Sequence, residues 1–263
     1  MKIGDYPEGA PCWFELETRD PTAGQRFWSD LLGWTCDEFP MPGSDGVYTM
    51  FALHGDAHVA ACCPIAPEAA AQGVPPHWNI YFRVHDCDAA TARAAAAGGR
   101  VLAGPFDVEE HGRMSIVADP EGAAFGLWQP LKHRGAGRIH EEHAVGWVEL
   151  AARDAAAAAS FYRTVLGWEI GERQMPHGLY RMFSAGGTPW GGLLGMTPEW
   201  GDLPAHWSIY WRVPDVDVAV ARAISLGGMQ CFPSFDAPGV GRIGRINDPQ
   251  GAGAYLIAFP PGS

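Results

Sequence analysis

The chain has 263 residues, enough for one large core or two ordinary ones, and its composition, 47% hydrophobic and 18% charged, is that of a globular protein in water. Its formal charge of -12 argues against binding to a nucleic-acid backbone, which requires clustered Lys and Arg. No apolar run is long enough to span a membrane, and the first residues, MKIGDYPEGAP, lack the apolar core of a secretory signal, so we expect a cytoplasmic protein.

The first predicted elements are a strand, a helix and further strands. Trp13–Leu16 alternates like a strand, and Asp20 followed by Pro begins a helix that reaches about Leu32. Two or three short strands are predicted next, near residues 48–53 and 58–63. This first module therefore has the order βαβββ.

A second module of the same order follows. The stretch HWNIYFRVHD, residues 77–86, begins with a strictly alternating strand, and Asp86 or Asp88 caps a helix that stops at Gly98 and Gly99. The turn DPEG has Pro at its second position and Gly at its fourth, as is common in tight turns. The remaining predicted strands lie near residues 101, 113–118 and 124–128.

The second half of the chain repeats the first. HWNIYFRVHD returns as HWSIYWRVPD (206–215), and WFELETRDPTAGQRFWSDLLGW (13–34) returns as WVELAARDAAAAASFYRTVLGW (147–168). We therefore predict an α+β protein of four βαβββ modules with curved, mostly antiparallel sheets. The predicted domains span residues 10–130 and 144–260, and a basic, Gly-containing linker spans residues 131–143.

Two short motifs occur once in each half. The first motif is Phe27-Trp28 followed by Leu32-Gly33-Trp34, and the second is the DPxG turn before the last strand. With their counterparts in the second half, the two motifs resemble the signature of the glyoxalase/bleomycin-resistance/dioxygenase (vicinal oxygen chelate) superfamily. The resemblance covers nearly the whole chain, and the sequence is most similar to the members of that superfamily that carry two domains in tandem. It implies two glyoxalase-like domains, whereas members differ in function among lyases, dioxygenases, transferases and drug-binding proteins.

The resemblance also implies where a metal ion would bind. Metal enzymes of the superfamily carry ligands seven residues before the helix-starting Asp of each module and seven residues after the Asp of the last turn. A catalytic divalent metal requires about three N or O donors. The matching positions, given at the end of this paragraph, hold none of the family's usual His, Gln or Glu ligands, so we expect no metal and no cofactor there. One alternative stays open, in which Glu15, Glu17 or Glu149 pairs with His77 or His206 in a relocated metal site. The matching positions are Trp13, Asn79 and Gly126 in the first half and Trp147, Ser208 and Tyr255 in the second.

Strand alternation places the polar and aromatic side chains of the central strands on one face of each sheet and Phe14, Leu16, Ile80 and Phe82 on the opposite face, under the helices. A half-buried carboxylate requires a partner, so we expect Glu15 to pair with Arg83 and Glu149 with Arg212. The predicted catalytic residues are Glu15, Glu149, Tyr210 and His206. The predicted substrate-binding residues are Trp13, His77, Asn79, Tyr81, Arg83, Trp128, Trp147, Ser208, Arg212 and Tyr255.

Three functions remain open at this point. The first is a metal-independent enzyme that acts on an aromatic or polyketide-like small molecule through the Glu, Tyr and Arg residues of the polar face. The second is a non-catalytic protein that sequesters a drug-like compound, and the third is a metal-dependent lyase or dioxygenase with relocated ligands. We expect the main site in the second half, or between the halves with Tyr255 at its wall, and the segment GGTPWGGLLG (186–195) leaves room for a ligand or a moving lid. The protein is expected to be a monomer or a homodimer.

Overall fold

The computed structural model describes residues 2–41, 46–55, 57–175 and 178–260, and these residues form two mixed eight-stranded sheets, one from each half. The first sheet comprises β1 (Pro11–Thr18), β2 (Thr35–Pro40), β3 (Val47–Leu53), β4 (Ala57–Pro64), β5 (His77–Arg83), β6 (Arg100–Val108), β7 (Gly112–Ala118) and β8 (Ala124–Pro130). The second comprises β9 (Val145–Ala152), β10 (Glu169–Met175), β11 (Gly178–Ala185), β12 (Thr188–Gly195), β13 (His206–Arg212), β14 (Met229–Ala237), β15 (Gly241–Asn247) and β16 (Gly253–Ala258). The helices are α1 (Pro21–Leu32), α2 (Pro67–Ala71), α3 (Cys87–Ala96), α4 (Ala155–Leu166) and α5 (Val216–Ser225).

The two sheets have the same strand order. It is β2-β3-β4-β1-β5-β8-β7-β6 in the first half and β10-β11-β12-β9-β13-β16-β15-β14 in the second. The two modules of a half meet at the central antiparallel pair, β1 with β5 or β9 with β13, and β1–β4 and β5–β8 are parallel pairs. The predicted α+β class with mostly antiparallel, curved sheets is confirmed, and modules pair within each half.

Helix starts and ends follow the chemistry predicted from the sequence. The Asp20 side chain accepts a hydrogen bond from the backbone N–H of Ala23, and Gly33 ends α1 with a φ of 68° in the left-handed region. In the second module Asp86, rather than Asp88, is the N-cap, and it accepts from the N–H of Ala89.

The apolar faces of the two sheets form one core between the halves. Phe14, Leu16, Ile80 and Phe82 are almost completely buried, as predicted. Their surroundings are only partly helical, because Phe82 contacts Trp207 of the other half, with ring centroids 5.1 Å apart. The core therefore runs continuously from one half into the other.

Equivalent hydrogen bonds cross between the halves and mark their pseudo-twofold relation. The indole N–H of Trp34 donates to the carbonyl oxygen of His143 (2.8 Å), and that of Trp168 donates to the carbonyl oxygen of Gly9 (2.7 Å). These two Trp residues end the repeated LGW motif, so the motif joins the halves. None of the helices in the described part of the chain is long and apolar enough to cross a membrane.

Candidate functional site

Each sheet has a polar face turned away from the shared core, and we call these faces the first cup and the second cup. In the first cup, Trp13 lies opposite Tyr81, Glu15 opposite Asn79, and Glu17 opposite His77 on the paired strands β1 and β5. In the second cup, Trp147 lies opposite Tyr210 and Glu149 opposite Ser208 on β9 and β13. His206 and Tyr255 lie on the same face of β13 and β16. The structure thus brings these predicted residues together in two equivalent sets.

A pair of tyrosines holds the carboxyl group of Glu15. The hydroxyl of Tyr48 donates to Oε2 of Glu15 and the hydroxyl of Tyr81 donates to Oε1, both at 2.7 Å. The indole N–H of Trp13 in turn donates to the Tyr48 hydroxyl at 2.9 Å. Both carboxyl oxygens of Glu15 are therefore occupied by protein hydroxyls.

The same arrangement recurs around Glu149. The hydroxyls of Tyr180 and Tyr210 donate to its two carboxyl oxygens, both at 2.7 Å, and the indole N–H of Trp147 donates to Tyr180 at 3.0 Å. Sequence analysis missed Tyr180 and its counterpart Tyr48. The signal was present in another short repeat, because GVYTMF at 46–51 matches GLYRMF at 178–183.

Burial shifts the acidity of both glutamates. Burial raises the pKa of Glu15 from 4.5 to about 7, the charge of Glu17 adds to the rise, and the hydrogen bonds from Tyr48 and Tyr81 oppose it. Burial also raises the pKa of Glu149, against the hydrogen bonds from its two tyrosines. Each cup therefore carries a carboxyl group that can hold or release a proton closer to neutral pH than an ordinary glutamate.

The predicted Arg–Glu pairs are wrong. Arg83 Nη1 lies 2.8 Å from Oε2 of Glu8, and Arg212 Nη1 donates to the carbonyl oxygen of His140 at 3.1 Å. Arg83 ends β5 beside the N-terminal segment, where its backbone also pairs with residues 9 and 10. The tyrosine two residues earlier is closer to the carboxylate, so it takes the place that we expected the arginine to fill.

The positions of the implied metal ligands carry side chains that do not fit a metal. The indole groups of Trp13 and Trp147 act as hydrogen-bond donors, and Asn79 Nδ2 donates to Oε1 of Glu17 at 2.6 Å. Gly126 has no side chain. In the part of the chain that is described, no group of three His, Cys, Asp or Glu side chains lies close enough to hold a metal ion. Of the residues named for a relocated site, Glu17 lies opposite His77, and the described residues place no third such side chain close enough to complete a metal site there.

Aromatic rings fill the space around the last strand of each sheet. In the first cup a side chain at Gly126 would overlap the ring of Tyr81. In the second cup Tyr255 takes the equivalent position and stacks on Tyr210, with ring centroids 4.4 Å apart and planes 10° apart. This stacked pair gives the second cup a flat aromatic wall beside Glu149.

The linker closes the first cup. The ring of His133 lies edge-on to Trp13, with centroids 4.3 Å apart, and the indole N–H of Trp128 donates to the His133 carbonyl oxygen. Burial lowers the pKa of His133 to about 4, and its Nε2 is buried without a hydrogen-bond partner. The buried residues of the first cup are Trp13, Glu15, Asn79, Tyr81 and Trp128, and His133 of the linker contacts two of them, Trp13 and Trp128.

The second cup is more open. Trp147, Glu149, Ser208 and Tyr255 are only partly buried. His206 is also partly buried, and burial lowers its pKa, so it is mostly neutral at pH 7. The second cup is thus the more accessible of the two sets of candidate residues.

The Gly-rich segment 186–195 does not form a lid. Most of it is strand β12, and a side chain at Gly192 would overlap the hydroxyl of Tyr180. Because Gly192 has no side chain, the hydroxyl of Tyr180 can reach Glu149. The space that we expected to hold a ligand or a moving lid is therefore occupied by Tyr180. Gly186 and Gly187 form the preceding hairpin turn with φ values of 58° and 76°.

Two surface cavities lie outside the cups. One, of about 460 Å³, is lined by Tyr6 of the N-terminal segment and by Trp190 on β12. The other, of about 480 Å³, lies below the linker residues 138–143 and is lined by Arg212. Arg212 therefore faces the linker cavity, and its predicted place in the ligand site is not supported by this contact.

Comparisons with known proteins agree with this fold. The profile of the Glyoxalase/Bleomycin resistance protein/Dioxygenase superfamily matches residues 13–127, and that of the Glyoxalase-like domain matches residues 147–257. The chain belongs to this superfamily. The implied pair of glyoxalase-like domains is confirmed.

Several relatives cover the whole chain. "Putative glyoxylase CFP32" of Mycobacterium tuberculosis is 40% identical, with 95% of each chain covered. The anthracycline biosynthesis protein DnrV of Streptomyces peucetius is 35% identical and covers 98% of this chain and 96% of its own. The 2,3-dioxygenase LapB of Pseudomonas sp. KL28 has a similar structure, with a TM-score of 0.66 over 96% of this chain and 93% of its own, at 13% identity. At that identity the likeness to LapB extends to the fold alone.

Proposed function

We propose that this protein is a small-molecule enzyme that transfers protons in its second cup, with Glu149 as the acid/base group and a flat, hydroxylated aromatic polyketide as the substrate. The observation that carries this proposal is the partly buried Glu149, whose carboxyl pKa is raised by burial, next to the stacked rings of Tyr210 and Tyr255. The similarity to DnrV, which is named for anthracycline biosynthesis, supports an aromatic polyketide as the substrate class.

The proposed chemistry uses only groups of this chain. The carboxylate of Glu149 accepts a proton from an acidic C–H that is conjugated with a ring carbonyl, and the electron pair of that C–H bond moves through the conjugated ring to the carbonyl oxygen as an enolate. Glu149 then returns the proton to the same or a neighbouring atom. Tyr180 and Tyr210 keep the carboxyl group in place, while Trp147 and Tyr255 orient the aromatic rings. His206 and Ser208, on the same face, are assigned to binding and proton relay.

The proposal takes no step through a metal ion, because the side chains at the family's ligand positions are poor donors. The first cup takes no part in the proposed reaction, since Glu15 is buried and the linker packs His133 against Trp13 and Trp128. We assign Glu15, Trp13, His77, Asn79, Tyr81, Arg83 and Trp128 to the folded framework of that half.

A sequestering protein is the second candidate. Both carboxyl oxygens of Glu149 already accept tyrosine hydrogen bonds, as a purely structural carboxyl group would. This alternative predicts tight binding of the aromatic ligand without proton transfer.

Deuterium exchange separates the two candidates. The C10 methylene protons of 1,8-dihydroxyanthrone exchange with D2O through an enolate, and NMR under nitrogen follows their loss. We expect the protein to accelerate this exchange, Glu149→Gln to reduce the acceleration about 100-fold or more, and Tyr255→Ala to weaken binding. Treatment with a chelator should leave the rate unchanged.

The comparison variant is Glu15→Gln, which removes the equivalent carboxyl group from the covered cup and should have a much smaller effect. Binding of the anthrone without accelerated exchange would favour sequestration. Equal losses in Glu15→Gln and Glu149→Gln, or none in either, would show that the second cup is not the site.

A further inference from the structure

Arg245, on β15, is a cation of the second cup without an acidic partner. It lies opposite Tyr255 on β16, and its guanidinium carbon is 5.4 Å from the centroid of the Tyr255 ring. No ion pair joins it to a carboxylate in the described ranges, and its Nε is buried without a hydrogen-bond partner. By contrast, Arg242 on the same strand binds two aspartates, Asp217 and Asp236.

The second half carries this arginine and the first half does not. The guanidinium of Arg245 packs beside Gly253, where a Cβ would lie 3.4 Å from Nη2 of Arg245, an ordinary contact distance, and 2.8 Å from Oδ1 of Asn247. The matching residues of the first half are Ile116, which lies opposite Gly126, and Ala124. The arginine therefore belongs to the second cup alone, because an isoleucine holds its position in the first.

The surroundings of Arg245 respond to its charge. Burial raises the pKa of the neighbouring Cys231, and the charge of Arg245 opposes that rise. Burial lowers the pKa of His206, and the charge of Arg245 adds to that lowering. A guanidinium with a buried, unpaired N–H is costly unless another group supplies the missing hydrogen bonds. A ligand carboxylate supplies them, because its two oxygens match the fork of an arginine.

We propose that Arg245 is the anchor for a carboxylate on the ligand of the second cup, so that the substrate is an aromatic polyketide acid. This inference rests on the proposed function and names its substrate class. In the sheet order, β15 is three strands from β9, so Arg245 and Glu149 are roughly 14 Å apart across the strands. The stacked Tyr210 and Tyr255 lie between them. A fused three- or four-ring acid spans this distance, with its carboxylate on Arg245 and its opposite end beside Glu149.

Two anthraquinones that differ at one substituent test this subsite. Rhein carries a carboxylate where aloe-emodin carries a neutral hydroxymethyl group, on the same dihydroxyanthraquinone rings. We expect calorimetry to show that the protein binds rhein at least about tenfold more tightly than aloe-emodin, and that this preference falls as salt concentration rises.

Variants then locate the preference. Arg245→Gln should abolish it while leaving the affinity for aloe-emodin unchanged, and Arg245→Lys should retain part of it. The control is Arg242→Gln, which removes a charge from the opposite face of the same strand and should keep the preference intact. If Arg245→Gln does not fold, the preference of the unaltered protein and its salt dependence still decide.

Equal affinity for the two compounds, or a loss in Arg245→Gln that is the same for both, would overturn the carboxylate subsite. The proposed function is judged separately, by the anthrone exchange and the binding of uncharged aloe-emodin. A protein that exchanges anthrone protons but binds both anthraquinones equally keeps its proposed function and loses this inference.

Discussion

At the scale of single residues, the carboxyl groups of Glu15 and Glu149 show that strand alternation predicts the face on which a side chain lies but not its hydrogen-bond partners. The period of two places both on the cup face, as predicted, but it carries no information about partners on more distant strands. Tyr48 and Tyr180 reach across an intervening strand, and they do so because that strand carries Ala61 beside Glu15 and Gly192 beside Glu149. Small residues on β4 and β12 thus decide that tyrosine, and not arginine, meets the carboxyl group.

The raised pKa of Glu15 predicts a specific pH dependence of stability. Its folded-state pKa of about 7 lies above the ordinary 4.5, so its contribution is complete below pH 4.5 and is lost as the pH rises through 7. Relative to Glu15→Gln, the unaltered protein should lose roughly 3 kcal/mol of unfolding free energy between pH 4.5 and pH 8. Urea unfolding of both proteins across that range measures the difference.

The control for this prediction is Glu149→Gln. As a whole residue Glu149 is less buried than Glu15, so its removal should give a smaller pH-dependent difference in the same direction. Stability curves of Glu15→Gln and the unaltered protein that run parallel from pH 4.5 to pH 8 would contradict a raised pKa at Glu15.

At the scale of elements, the sequence predicted the strands, the helix caps and the central antiparallel pair because each depends on neighbours along the chain. The filling of the cups depends on contacts between distant elements. Gly126 on β8 and Tyr255 on β16 hold the same register position, but the Tyr81 ring covers the glycine while Tyr255 stacks on Tyr210. Arg245 escaped notice for the same reason, since its counterpart in the repeat is an apolar isoleucine.

A methyl group at Gly126 should therefore disturb the first cup. Gly126→Ala places Cβ in the ring of Tyr81, which has to move and thereby weakens its hydrogen bond to Glu15. We expect a loss of about 1–3 kcal/mol in the free energy of unfolding, as is typical of an overpacked site. Denaturant midpoints measure this loss.

Gly171→Ala is the matched control, because it adds the same methyl group to strand β10 with no atom within 4 Å. It should be neutral or slightly stabilising. A midpoint for Gly126→Ala equal to that of the control would show that the Tyr81 ring is not fixed over the glycine.

At the scale of the whole molecule, the repeat predicted two similar halves, but it could not tell two separate units from one interlocked pair. The repeat in the sequence would be the same whether the two halves fold separately or share one core. The difference lies in contacts such as that of the Trp28 indole N–H with Asp248, and of the Tyr162 hydroxyl with Asp119, each 3.2 Å and each joining one half to the other. Trp211 of the second half also packs on Trp34 of the first, with ring centroids 5.0 Å apart.

We therefore expect the chain to unfold as one cooperative unit. Scanning calorimetry should give a single transition, and the separate halves 1–143 and 144–263 should lack fixed tertiary structure because each exposes its share of the common aromatic core. Coexpression of the two halves should restore a soluble complex. Two resolved transitions, or a well-dispersed NMR spectrum from one isolated half, would show that the halves fold independently.

The linker segment that carries His133 makes the two cups of the duplicated chain different, because it packs on the first cup. In the first half, the packing of His133 makes the cup part of the folded structure, whereas the equivalent surface of the second half is the one on which we propose that a ligand binds. Substitutions in the covered copy then act on the amount of folded protein, whereas substitutions in the open copy change what is recognised. Substitutions on the surface of the second cup can therefore change ligand recognition while the core that both halves share stays unaltered.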